Sequence, residues 1–343
     1  MIKKLLQDRK LPPLPKTREE MIEMLAREEY GPMPPAPRAI EVKPKEPGSK
    51  HEQCAGHAVY EEHEISAHMD GFDFSFPVRC IFPKKHPEKG APCFVLINFR
   101  PEVPDWYFPA QEIADNGFAV ICIYYNEITK DEEDDFASGV APDMIKHYGP
   151  TGKISMWAWA CSRALDYALT RDDIDPDRIA VIGHSRLGKT ALWAGANDTR
   201  FSAVISNDSG CSGAAISRGK IGESIERIST AFPRWFNGEY KKYGNREYEA
   251  DFDQHFLLAA IAPRKLCVGS ASEDSWSDPA SEYLGCCAVS PIWEEMGRKG
   301  FVHPDRLPEP GEAFQEGDIS YHLTDGAHYL GRADWLRYMD FLR

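Results

Sequence analysis

The chain has 343 residues, 42% of them hydrophobic and 27% charged, with a formal net charge of -14. Length and composition are those of a globular protein with one large domain or two small ones. The acidic balance excludes nucleic acid as the main partner, because a phosphate backbone needs a basic face. No apolar run reaches the roughly 18 residues of a membrane span, so no membrane partner is expected.

The start of the chain, "MIKKLLQDRKLPPLPK", lacks the apolar core of a secretory signal. The 9 cysteines are an odd number, and Cys93, Cys122 and Cys267 sit in apolar runs as small buried hydrophobes. Both features predict reduced thiols and a cytoplasmic protein.

Residues 1–50 read as a peripheral segment with one helix, "TREEMIEMLAREEYG", opened by a capping box of Thr17 and Glu20 and ended by "PMPPAP". Residues 51–343 read as one α/β domain. Its first part, 51–85, alternates apolar and polar residues and predicts antiparallel strands. His51, Cys54 and His57 have the spacing H-x-x-C-x-x-H, with His63 and His68 beyond, but no compact second ligand pair follows, so no metal is expected.

From residue 92 short buried strands alternate with helices, the pattern of a mostly parallel sheet with crossover helices. "PCFVLINF" is a strand, "WYFPAQEIADNG" a helix and "FAVICIYY" a strand; "ISMWAWACSRALDYALTR" is a long helix. "RIAVIG" leads into "RLGKTALWAGA", a strand before a helix. The strands "FSAVISN", "RKLCVGSAS" and "ISYHLTD" follow, and "ADWLRYMDFLR" closes as a helix. The acidic run from Asp131 to Asp135 is expected to be a solvated loop face.

"GHSRLGKT" at 183–190 satisfies two motifs. As G-x-x-x-x-G-K-[ST] it is a phosphate-binding loop, with Lys189 on a phosphate, and predicts a nucleotide-binding protein. As G-x-S-x-G it is a nucleophile elbow with Leu187 in place of the second glycine. Two strands precede it, Arg186 and Leu187 fill the would-be cradle, and no later strand brings the usual magnesium-holding aspartate. The elbow fits better: a buried strand runs into Ser185, a helix follows, and Gly183 and Gly188 allow close packing. The backbone N–H of Arg186, at a helix N-terminus, is then placed to stabilise an oxyanion.

An elbow of this kind demands a carboxylate after a late strand and a histidine after the last one. "RKLCVGSASEDSWSDP" offers Glu273, Asp274 and Asp278, and "ISYHLTDGAHYLGRADW" offers His328. His322, inside the strand, reads as packing, and His303 as a surface residue.

The segments "WAWACSRALDYA", "IAVIGHSRLGKTALWAGA", "SNDSGCSGAA", "DQHFLLAAIAPRKL" and "ASEDSWSDPASEYL" resemble the bacterial glucuronoyl esterases of carbohydrate esterase family 15. The likeness covers roughly residues 92 to 338, and the S-R-x-G-K core is its specific part. It implies an α/β-hydrolase fold with helices on both faces of the sheet, and a serine esterase that cleaves esters of (4-O-methyl-)glucuronic acid, as in xylan–lignin cross-links, without metal or cofactor. The resemblance makes Ser185 the nucleophile and gives Arg186 a part in the oxyanion hole. Lys189, Glu223 and Trp276 would contact the sugar. Asp208, in "SNDSG", and Asp274 match the family's two places for the acid; Asp274 is expected to act, with Asp208, shorter than the usual glutamate, in support. His184 replaces a cysteine of many fungal members and reads as structural. The rival esterase reading is an acetyl (xylan) esterase acting on small acetylated oligosaccharides, with the same Ser–His–Asp set and a different pocket.

Overall fold

The computed structural model describes residues 1–46, 50–132 and 134–343. Eleven strands form one sheet in the order β1-β3-β4-β6-β5-β7-β8-β9-β11-β10, with β2 paired to β3. They are β1 (Ala39–Pro44), β2 (His51–Gln53), β3 (Ala58–His68), β4 (Asp73–Pro83), β5 (Ala91–Asn98), β6 (Ala119–Tyr124), β7 (Ile174–His184), β8 (Ala203–Asn207), β9 (Lys265–Ala271), β10 (Ala313–Phe314) and β11 (Ile319–Thr324). The run β6-β5-β7-β8-β9-β11 is parallel throughout. The strands before β5 join it antiparallel, through β4 on β6.

Among the described residues the ten α-helices are α1 (Ile2–Arg9), α2 (Arg18–Leu25), α3 (Ala110–Asp115), α4 (Ala141–Tyr148), α5 (Lys153–Ala168), α6 (Arg186–Asn197), α7 (Ile225–Ala231), α8 (His255–Ala259), α9 (Pro279–Glu295) and α10 (Arg332–Leu342). The central strands look uniformly apolar because both of their faces are covered. In β5, Cys93, Val95 and Ile97 join the core under α5, α6, α8 and α9, whereas Phe94 and Leu96 join a second core with α3 and α10. The same alternation divides β7, with Ile179 and Val181 on one face and Ala180 and Ile182 on the other. This is the doubly covered, mostly parallel sheet of the α/β-hydrolase fold.

The first fifty residues carry two helices, α1 and α2, where one was expected, and the edge strand β1. The Thr17–Glu20 capping box at the start of α2 is formed. Tyr30 is fully buried, stacks on Trp193 of α6 at 4.7 Å between ring centroids and donates to the Ser212 carbonyl at 2.8 Å. Glu29 beside it is also fully buried, with both carboxylate oxygens on the Gln254 amide at 3.0 and 2.8 Å.

The acidic run after β6 turns inward at two places. Asp131 pairs with Arg186, and Asp134 with the buried Lys153 Nζ at 2.7 Å. Asp135 stays in solvent with Arg234, and Glu133 lies outside the described residues. The expected solvated face is therefore corrected: the loop spends two carboxylates on the buried Lys153 and the part-buried Arg186, because a charge withdrawn from water is costly when unpaired.

Burial raises the Glu29 pKa from 4.5 to about 8 against the opposing hydrogen bonds of Gln254. A carboxyl raised on folding contributes stability below its unfolded pKa and loses it as pH climbs through the folded one. The melting temperature should therefore fall between pH 4.5 and pH 8, and Glu29→Gln should flatten that fall by several degrees in thermal scans across the range.

Candidate active site

Strand β7 ends at His184, α6 begins at Arg186, and the joint between them is Ser185 alone. Its backbone sits at φ 58, ψ -125, a region that non-glycine residues rarely occupy. Three hydrogen bonds hold it there: Ser185 N–H donates to the Asn207 carbonyl of β8 at 2.8 Å, and the Ser185 carbonyl accepts from Gly188 and Lys189 N–H at 2.9 and 3.2 Å. Gly183 is obligatory, since a Cβ there would collide with the Leu187 carbonyl, and a Cβ on Gly188 would press on Ser209 Cβ at 3.0 Å. The strand–helix joint of a nucleophile elbow is thus formed with the second glycine displaced by one position.

The same contacts remove the phosphate loop. The amides of Ser185, Gly188 and Lys189 are spent on carbonyls, and Lys189 Nζ is buried and donates to the Ser209 carbonyl at 2.5 Å. The N–H of Arg186, at the first position of α6, belongs to the helix-terminal donors that have no intrahelical acceptor.

His328 stands in the loop between β11 and α10, and its Nδ1 lies 2.6 Å from Asp274 Oδ2. Asp274 follows β9, and its other oxygen accepts from Ser277 N–H at 3.1 Å. Burial opposes ionisation of Asp274, but the hydrogen bonds from His328 and Ser277 outweigh it and bring the pKa down to about 2. An ionised carboxylate only accepts, so Nδ1 carries the proton and Nε2 is the basic nitrogen. Ser185, Arg186 and His328 line one open cleft of about 410 Å³ with Phe99, Arg100, Tyr107 and His184.

Asp208 lies beside this pair in a different environment. Its ligating oxygen, one of Asp274 and a ring nitrogen of His328 lie within 4.8 Å of one another. Both Asp208 carboxyl oxygens are buried without a hydrogen bond among the described residues, and His184 Nδ1 is 3.9 Å away. Burial, with the charges of Glu282 and Asp274, holds its pKa well above the usual range. The two neighbouring acids are thus shifted in opposite directions. The three residues are spaced like metal ligands, but the imidazole nitrogen that faces the acids is already engaged by Asp274. His51, Cys54 and His57 do not assemble: His51 packs on Tyr60 and His57 pairs with Asp115 at 2.6 Å.

His184 is buried, with Nδ1 2.6 Å from Asn207 Oδ1 and its ring 4.5 Å from that of His328. Burial and the His328 charge lower its pKa to about 3, so it stays neutral. Asp278 caps α9 through Ser281, and Glu273 is exposed, so neither reaches the histidine. His322 is fully buried in β11 with Nε2 2.9 Å from Asp334 Oδ1. Asp334 also accepts from Thr324 Oγ1 at 2.6 Å and from Gly331 N–H at 2.8 Å, which ties together the two ends of the loop that carries His328.

The three expected sugar contacts do not line the cleft around Ser185. They group with one another beside it. Glu223 N–H donates to the Trp276 carbonyl at 2.9 Å, and the Glu223 charge favours the ammonium of Lys189 against burial, which lowers its pKa. The Trp276 ring is 51% exposed, with the Arg227 guanidinium 5.2 Å from its centre. Lys189 is a support of the 208–210 loop rather than a free cation. Glu282 of α9 supports the same loop, accepting from Gly210 N–H at 2.8 Å and Ser270 Oγ at 2.6 Å, and burial raises its pKa to about 6. No motif marked Glu282 or Asp131; only three-dimensional proximity does.

A family model described as glucuronyl esterase of fungi matches residues 65–297. A carbohydrate esterase from an unidentified prokaryote is 41% identical over 232 residues, 66% of this chain and 53% of its own length. A 4-O-methyl-glucuronoyl methylesterase of Podospora anserina is 27% identical over 81% of this chain and 55% of its own. The chain thus spans about half the length of these curated relatives. Among solved structures, the glucuronoyl esterase of Solibacter usitatus superposes with a TM-score of 0.85 at 33% identity, covering 95% of this chain and 91% of that one. A promiscuous esterase of carbohydrate esterase family 15 from a marine bacterial metagenome gives a TM-score of 0.84 at 30% identity, covering 95% and 90%. With its elbow at Ser185, its His328–Asp274 pair and this breadth of likeness, the chain belongs to the glucuronoyl esterases of carbohydrate esterase family 15.

Proposed function

We propose that the protein hydrolyses esters of glucuronic or 4-O-methyl-glucuronic acid by a two-step acyl transfer on Ser185. The observation that carries the reading is the His328–Asp274 hydrogen bond in the cleft that also holds Ser185. His328 Nε2 takes the Ser185 proton as Oγ attacks the ester carbonyl. The Arg186 N–H and guanidinium receive the developing oxyanion. His328 returns the proton to the departing alcohol, and a water, activated by the same imidazole, releases the uronic acid.

Asp274 is the acid of this reading and Asp208 is not. A carboxylate must be ionised to hold an imidazolium; burial and the neighbouring carboxylates disfavour that charge on Asp208, while two hydrogen bonds favour it on Asp274. Trp276 and Glu223, beside the cleft, form the sugar side, with the exposed indole as the face on which a pyranose ring can lie, while Lys189 keeps its buried place on the Ser209 carbonyl. The nine cysteines are all free thiols, which supports a reducing, cytoplasmic setting.

Ser185→Ala should abolish turnover of benzyl glucuronate with an unchanged melting temperature. Asp274→Asn should lower kcat by about 10³–10⁴-fold, the loss expected when the orienting acid no longer fixes the tautomer. Asp208→Asn, at a carboxyl whose charge the surroundings disfavour and which makes no hydrogen bond to His328, should cost less than about tenfold. A larger loss at Asp208 than at Asp274 in steady-state kinetics reverses the assignment. Trp276→Ala should raise KM for the glucuronate ester several-fold and leave hydrolysis of an aryl acetate unchanged, because uniform binding lost at a remote group appears in KM. Equal effects on the two substrates would remove Trp276 from the sugar side.

A further inference from the structure

The guanidinium next to the nucleophile is not free. Arg186 Nη1 is hydrogen-bonded to Asp131 Oδ2. The Asp131 carboxylate is itself fixed: Oδ1 accepts from Trp235 Nε1 at 2.6 Å, Oδ2 takes a long contact from Tyr125 OH at 3.4 Å, and the backbone N–H of Asp131 donates to Asn126 Oδ1 at 2.8 Å. Aromatic rings close around the cation, with Trp235, Phe232 and Phe99 centred 4.6, 5.4 and 5.6 Å from Arg186 Cζ. Nε is buried without a partner, and Nη2 has no hydrogen bond among the described residues. One edge of the fork is committed to the carboxylate, while the residue itself lines the cleft.

We infer that Asp131 is a positioning residue for Arg186, with Trp235 as its brace. An arginine chain is long and rotatable, and a donor that must meet an oxyanion loses its advantage if it has to be ordered during the reaction. The planar fork suits a carboxylate at one edge and an anion at another. Asp131 has a second, opposite effect, since its negative charge weakens the field of the guanidinium. The two effects predict opposite signs for its removal. With three rings and an indole N–H arranged to hold the pair still, orientation outweighs the loss of field.

The inference rests on the proposed part of Arg186 in the ester hydrolysis, and a double-mutant cycle separates the two. Benzyl glucuronate kinetics are measured for the full chain, Asp131→Asn, Arg186→Gln and the double variant. Asp131→Asn should lower kcat by roughly ten- to a hundredfold with KM within about threefold, and the double variant should be no slower than Arg186→Gln alone, because coupled residues are non-additive. A lowered kcat in Arg186→Gln beside an unchanged or raised kcat in Asp131→Asn overturns this inference and leaves the ester mechanism standing. Full additivity in the double variant overturns it too, since Asp131 would then act independently of Arg186. An unchanged kcat in Arg186→Gln removes Arg186 from the mechanism and the inference with it. If Asp131→Asn does not fold, Trp235→Phe carries the test: it keeps the ring and deletes the N–H, and a kcat loss of a few-fold that vanishes in the Arg186→Gln background is the expected result. A loss that persists there overturns the inference.

Discussion

Ser185 is held in a backbone conformation that costs free energy, and the rest of the site is arranged around that cost. A non-glycine residue at φ 58 survives only if its neighbours over-determine it. Here β8 supplies an acceptor, α6 returns two N–H groups, and the missing side chain of Gly183 lets the strand and the helix approach. Because Ser185 N–H is bonded to Asn207, the nucleophile is tied to the residue just before Asp208. The Asp208 loop, the His184–Asn207 hydrogen bond and the elbow therefore share one strand end.

Environment, not residue type, separates the acids of this protein. Asp274 and Asp208 have the same side chain and lie close together, yet the pKa of one is lowered to about 2 and that of the other is raised well above the usual range. Asp274 is offered an N–H from the imidazole and one from the backbone. The Asp208 oxygens have no hydrogen bond among the described residues, and the charges of Glu282, Asp274 and Asp334 oppose its ionisation. Glu282 shows the intermediate case, supplied with two hydroxyls and a backbone N–H but more deeply buried than Asp274, and its pKa settles near 6. Depth of burial, weighed against the donors and charges around each carboxyl, sets its acidity, as it does for acid–base pairs in other enzymes.

Much of this was legible in the residues. The parallel strands were readable because both faces bury apolar side chains, and the antiparallel edge because one face does not. The order serine, acid, histidine needed only strand ends to locate it. α9 escaped notice: it is apolar on most sides, with Gly285 and Pro291 inside, so no amphipathic stripe marks it. Asp131 escaped for a different reason. A carboxylate that pairs across 55 residues of chain looks the same in sequence as one that faces water. Lys189 was expected on the sugar, but burial and a carbonyl acceptor give it a packing task that the motif alone does not reveal.

The Asp334 carboxylate has a consequence for how the rim of the cleft can change. It clamps Thr324 and Gly331, so the hairpin of chain between them is closed at its base whatever its crest contains. His328 and Tyr329 lie between the two clamped ends, and Tyr329 donates to the Trp106 carbonyl at 2.6 Å, with both aromatic side chains exposed. A substitution at Trp106 or Tyr329 therefore alters the exposed rim without opening the loop at its base. The Tyr329 ring also packs on Tyr107, which packs on His184 and so on the His328 ring, so the rim is felt at the imidazole through a chain of aromatic contacts rather than through the loop ends.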